Sequence, residues 1–219
     1  MKIFLDSANI EQIRCWYATG LINGVTTNPS HLAKEGGNPT EMVQKMCALV
    51  LDGDVSVEVT EESPEAVYKQ AKEIAALADN VVVKVPCHRD YYAVIKRLVE
   101  EDVSLNITLV FSLVQGLLMS KLGVKYISPF IGRLDDIGTN GIELISEMRD
   151  MVEQYGFETQ ILAASIRSVR HLHNAILAGA DIATIPLDVM QKMTDHPLTD
   201  RGMEKFLSDW KKLNVTKFP

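Results

Sequence analysis

The amino-acid sequence predicts an α/β fold, a (β/α)8 TIM barrel with an additional C-terminal helix. Three observations point there. Eight short runs rich in Val, Ile, Leu and Thr recur along 219 residues, alternating with longer helix-like segments. No Pro/Gly/Ser-rich linker or charge run divides the chain, so residues 1–219 are expected to form one domain. Neither GxGxxG nor GxxxxGKS/T occurs, which weakens the main rival, an open doubly wound sheet.

The strand candidates are KIFLD (2–6), GVTTN (24–28), VSVEVT (55–60), VVVKVP (81–86), LNITLV (105–110), KYISPF (125–130), QILAAS (160–165) and DIATIPL (181–187). Helices between them supply the crossovers of a parallel sheet. Asn38 can cap a helix, Pro39 suits its first turn and Glu41 completes a capping box; Ser63-Pro64 repeats the start. Gly123, Gly156 and Gly179 stand where the fifth, sixth and seventh helices of the alternation should stop. The run TDRGMEKFLSDWKKL (199–213) reads as one more helix, with Phe206, Leu207 and Trp210 on one face. It has no barrel strand to follow and is expected to pack on a neighbouring subunit.

Composition bounds the function. Hydrophobic residues make up 47% of the chain, ordinary for a globular protein. A formal net charge of −7 argues against general affinity for nucleic acid or anionic membranes, yet allows a local basic pocket. No stretch approaches the roughly 20 apolar residues of a membrane helix. The opening MKIFLDSANIEQ reaches Asp6 too early for a signal-peptide core. Cys15, Cys47 and Cys87 are odd in number and far apart, as expected of reduced thiols in a cytoplasmic protein. His171 and His173 do not share a helix face, and no HExxH or CxxC appears, so no metal is expected.

Side chains two apart on a strand share a face. Thr26 thus pairs with Asn28, Ser56 with Glu58, Asn106 with Thr108, Ser128 with Phe130, and Ser165 with Arg167. Asp6 and Lys84 each end an apolar run. Each residue has a plainer reading. Asn28, Thr108 or Ser128 could cap a loop, Glu58 could be an edge charge, and Arg133 and Arg167 could be surface ion-pairers. Asp135-Asp136 is expected to pair with Arg133 or cap the next helix. The coincidence of polar groups near the C-terminal ends of most strands favours a site, because barrel enzymes build theirs at that end.

Lys84 is the sharpest case. A lysine between Val83 and Val85 could lay its stem on apolar surface and reach water. Alternatively, desolvation would disfavour its charge and leave a nucleophilic amine able to form a Schiff base with a carbonyl.

The combination of FLDSAN, GVTTNPS, VSVEVT, VVVKVP, NITLVFS, ISPFIGRLDD and LAASIR resembles the short-chain transaldolases, from Met1 to about Trp210. TTNPS, VVKVP and SPFxGR together make the resemblance specific. It implies a cofactor-free barrel that moves a dihydroxyacetone unit from a ketose phosphate, fructose 6-phosphate or sedoheptulose 7-phosphate, to an aldose phosphate, erythrose 4-phosphate or glyceraldehyde 3-phosphate. On this resemblance Lys84 is the Schiff-base lysine and Asp6 the acid/base at the C4 hydroxyl. Glu58 works through a water that Thr108 helps to hold. Asn28 and Asn106 hold the dihydroxyacetone hydroxyls, with Thr26 and Ser128 nearby, and Arg133, Ser165 and Arg167 take the phosphate. The related fructose-6-phosphate aldolases typically carry glutamine where Glu58 stands and tyrosine where Phe130 stands, so that activity is the alternative. A silent sugar-phosphate-binding barrel would keep the arginines but has no reason to keep both Lys84 and Glu58. The resemblance also implies a homo-oligomer, a decamer of two pentamers whose C-terminal helices pack on neighbours.

Overall fold

In the computed structural model, which describes residues 1–213, eight parallel strands close into a ring in chain order. They are β1 (Lys2–Asp6), β2 (Gly24–Thr26), β3 (Asp54–Glu58), β4 (Val81–Pro86), β5 (Leu105–Val110), β6 (Tyr126–Pro129), β7 (Gln160–Ala163) and β8 (Ile182–Pro186). β8 pairs back onto β1, so the open-sheet alternative is excluded. The helices are α1 (Ile10–Ala18), α2 (Pro29–Glu35), α3 (Pro39–Leu49), α4 (Pro64–Ala75), α5 (Tyr92–Glu100), α6 (Leu113–Lys121), α7 (Ile131–Asp136), α8 (Gly141–Tyr155), α9 (Val169–Leu177), α10 (Leu187–Thr194) and α11 (Pro197–Lys211). The fold is the expected (β/α)8 barrel with an extra C-terminal helix.

Local chemistry sets the boundaries. The Asn38 side chain accepts from the amides of Thr40 and Glu41, and the Ser63 hydroxyl from that of Ala66. Gly123, Gly156 and Gly179 have φ of 82°, 65° and 83°, and they stop α6, α8 and α9. Strand β2 ends at Thr26, two residues short of the sequence expectation, because Asn28 leaves the sheet to cap α2. The short helices α2 and α7 lie in βα loops and were not legible as separate elements. α11 begins two residues before the expected start, since Pro197 fits the first turn and His196 caps it.

Two cores result. Val83, Val85, Ile107, Ile127 and Ile161 belong to the outer core between sheet and helices. Inside the ring, Phe4, Val82, Tyr126, Leu162 and Ile182 form a second cluster. The Phe4 ring occupies the space a side chain on Gly24 would need, so that strand position tolerates only glycine. The Tyr126 hydroxyl donates to Asp54, and burial together with that carboxylate pushes the phenol far above its usual range. The interior is thus filled toward the N-terminal ends of the strands, and the polar groups collect toward the C-terminal ends. α11 carries no buried residue; Phe206 is 73% exposed. Among the described residues no helix is long and apolar enough to cross a membrane. Cys15, Cys47 and Cys87 are free thiols.

Candidate active site

Parallel pairing sets Glu58 on β3 beside Lys84 on β4, and Lys84 beside Asn106 on β5. Val83 and Val85 face the helices, whereas the Lys84 amine ends on polar partners. Its Nζ lies 3.0 Å from Glu58 Oε2 and donates to the Thr27 carbonyl at 3.0 Å. Thr27 is itself fixed, its amide and hydroxyl both bonding the Ser56 carbonyl. Lys84 is 6% exposed. The amine is therefore shielded from bulk water and has a proton acceptor within hydrogen-bond reach. Thr108 follows on β5, opposite Pro86. Its hydroxyl is buried and has no partner among the described residues. Such a group is costly unless a water or ligand satisfies it.

A second set surrounds Asp6. The Thr26 hydroxyl donates to Asp6 Oδ1 at 2.9 Å and lies 2.5 Å from the Thr184 hydroxyl. His31 Nε2 is 3.4 Å from the same Asp6 oxygen. Asn106 is buried, donating to Ser56 Oγ at 3.2 Å and accepting from Ser128 Oγ at 2.6 Å. The Asn28 carbonyl oxygen accepts the His31 amide at 3.0 Å, which leaves the Asn28 amide nitrogen for a ligand. Asp6, Thr26, Asn28, Lys84, Asn106 and Ser128 line one cavity of about 170 Å³, completed by Phe130, Arg133, Ser165 and Thr184 among others.

Three predicted residues sit differently from the rest. Glu58 lines not this cavity but a larger groove of about 590 Å³ between α2, α3 and α4, so the Lys84–Glu58 pair separates two spaces. The larger groove is mostly apolar at its walls and holds neither Lys84 nor Asp6. Thr108 lines neither space. Arg167 is turned aside, its guanidinium engaged by both oxygens of Asp136, with Nη2 2.7 Å from Oδ2. That fork of donors holds the Asp136 carboxyl below the usual aspartate range. Asp135 accepts the Gly141 amide at the start of α8, as a cap, and lies 3.2 Å from His171. Arg133 instead stacks over the Phe130 ring at 5.0 Å. Ser165 adopts a left-handed backbone, φ 58°, at the turn that carries Arg167. No group of His, Cys, Asp and Glu among the described residues could hold a metal ion.

Two site residues escaped sequence reasoning. Thr184 had a signal: in IATIP it lies two residues after the inward-facing Ile182. His31 had none, because α2 was not legible as a helix.

A closed (β/α)8 barrel with a buried lysine–carboxylate pair and convergent polar groups at the C-terminal strand ends is the architecture of a barrel enzyme. Comparison with known proteins makes this specific. The profile of the family described as Transaldolase/Fructose-6-phosphate aldolase matches residues 3–217. The chain belongs to this family and is an enzyme of the transaldolase type. It is 49% identical over 210 residues to a protein of Methanococcus maripaludis strain C7 named "Probable transaldolase", covering 96% of this chain and 97% of that one. A protein of the same name from Lactiplantibacillus plantarum is 48% identical over 217 residues, covering 99% and 100%. Among solved structures, thiamine phosphate pyrophosphorylase from Pyrococcus furiosus superposes with a TM-score of 0.58 at 15% identity, covering 84% and 85% of the two chains. That likeness shows the fold alone.

Proposed function

We propose that the chain transfers a dihydroxyacetone unit from a ketose phosphate to an aldose phosphate through a Schiff base on Lys84, as a cytoplasmic step of the pentose phosphate pathway. The contact of Lys84 Nζ with Glu58 Oε2 at 3.0 Å carries the reading. Nζ attacks the C2 carbonyl, and Glu58, with a water held by the unpartnered Thr108 hydroxyl, moves the protons that turn carbinolamine into iminium. The iminium draws the C3–C4 bonding electrons when Asp6 takes the C4 hydroxyl proton. The aldose phosphate leaves and an enamine stays on Lys84. Asn28 and Asn106 hold its hydroxyls, with Thr26 and Ser128 behind them. An acceptor aldehyde then reacts at C3, Asp6 returns the proton, and water releases the product. Arg133 and Ser165 supply the phosphate corner, joined by Arg167 if it leaves Asp136. The reaction so written needs no metal or cofactor.

Borohydride trapping with fructose 6-phosphate tests this. A reduced adduct on Lys84, with dihydroxyacetone passing to erythrose 4-phosphate, supports it. No adduct leaves only a sugar-phosphate-binding barrel. An adduct that yields free dihydroxyacetone even with erythrose 4-phosphate present assigns the aldolase activity instead. Glu58 and Phe130, where aldolases of the family typically carry glutamine and tyrosine, favour the transferase.

A further inference from the structure

We infer that His31 is a positioning residue that acts through Asp6 in the carbon–carbon bond steps. The inference rests on the proposed role of Asp6 and adds a residue to that site. His31 stands in the first turn of α2, and the cap from Asn28 to its amide fixes that turn. From there the imidazole reaches across to β1, placing Nε2 3.4 Å from Asp6 Oδ1. The Thr26 hydroxyl, backed by Thr184, grips the same oxygen from the barrel side. Oδ1 is thus hydrogen-bonded from β2 and approached by the imidazole from α2, while Oδ2 has no partner among the described residues. A carboxylate that takes a hydroxyl proton in cleavage and returns it in addition must keep one oxygen aimed at the substrate through both half-reactions. Thr26 alone fixes one contact; the imidazole supplies a second on the oxygen that is not used. His31 itself exchanges no proton with the substrate in this scheme. The His31 and Asp6 side chains are 31% and 26% exposed, and a contact so placed adds little to stability. Its effect should therefore show in turnover and not in folding.

Two variants of equal polarity and different reach test this. Gln keeps an amide nitrogen near the position of Nε2, and Asn falls one methylene short. Two readouts separate the steps. Borohydride trapping with dihydroxyacetone reports imine formation without any carbon–carbon step; transfer from fructose 6-phosphate to erythrose 4-phosphate reports the whole cycle. His31→Asn should trap dihydroxyacetone at the parental rate, with kcat for transfer about five- to tenfold lower and KM little changed, the size of one ordinary polar contact. His31→Gln should recover most of kcat. Transfer by His31→Asn within about twofold of the parent overturns the inference. So does trapping that falls in step with transfer, which would mark a general disturbance of the site, and so does a Gln variant as slow as the Asn variant. Failure of the parent itself to trap on Lys84 would instead overturn the proposed function.

Discussion

Replacing Lys84 by methionine should cost stability as well as activity. The substitution keeps the stem and removes the charge from a buried pair whose Glu58 partner is 15% exposed at the side chain. At 3.0 Å the Coulomb attraction is at most about 5 kcal/mol at an effective dielectric of ~20. Removing one partner of a buried pair typically costs about 3–5 kcal/mol, because the other charge is left uncompensated. Glu58 opens on the wide groove, so the lower end applies, about 3 kcal/mol. For a chain of this size that is a fall in Tm of roughly 6–12 °C, with the fold retained. Neutralising Glu58 as well, in Lys84→Met/Glu58→Gln, should recover at least half of the loss. Calorimetric melts of parent, single and double variants measure both effects, and transfer assays should find both variants inactive. If Lys84→Met melts at or above the parent at neutral pH and the double variant gains nothing, Glu58 is not held by Lys84. The proton-acceptor geometry then fails. Retained transfer would remove Lys84 from the chemistry altogether.

Two further outcomes follow from the surface of the barrel. Asp136→Asn keeps the shape of the fork on Arg167 but removes its charge, freeing the guanidinium for the corner that Arg133 lines. Inorganic phosphate should then inhibit transfer with an inhibition constant about two- to fivefold lower, the scale of an exposed ion pair; an unchanged constant would show that Asp136 does not hold Arg167 back. The Asp136 carboxyl is depressed by Arg167, so the pair persists at neutral pH and is lost only as pH falls through that lowered value. On α11, Phe206→Glu should leave the barrel folded, because the ring touches no core, and should break the proposed homo-oligomer. Size-exclusion chromatography should show the parent well above the 24.4 kDa monomer mass and the variant near it. A parent that already runs as a monomer removes the proposed packing of α11 on a neighbour.

Period-two alternation made the barrel and the inward set legible, because a strand leaves each side chain only two directions. Asp6, Lys84, Asn106 and Ser128 line the cavity where that alternation puts them. What stayed hidden was set by contacts across sequence distance. Asp136 and Arg167 are 31 positions apart, and only the packing of the turns after β6 and β7 brings them together. The Lys84 amine was expected near Glu58, and the two meet at 3.0 Å; its bond to the Thr27 carbonyl was hidden, because Thr27 lies in the turn after β2, beyond the neighbouring strand β3. Thr184 was overlooked since threonine is also an ordinary strand residue. His31 lies on a single short helix whose existence depends on Asn28 leaving the sheet.

Asn28 shows how closely fold and chemistry are joined. Its carbonyl oxygen caps α2, and the residue lines the cavity, so one side chain starts a helix and, in the proposed reaction, offers a donor to substrate. The two roles separate by substitution. Serine is as good a cap but has no amide donors. Asn28→Ser should keep the parental melt and lower transfer about tenfold or more, the effect of losing one or two substrate hydrogen bonds. Asn28→Ala should lose at least as much activity and in addition about 1 kcal/mol of stability, roughly 2–4 °C in Tm. Because the cap also sets the turn that carries His31, the Ala variant should be the slower of the two. If Asn28→Ser transfers as fast as the parent, the residue is a cap alone and the substrate hydroxyls are held elsewhere. If both variants melt alike, the hydrogen bond to the His31 amide contributes nothing measurable, and α2 is held by packing instead.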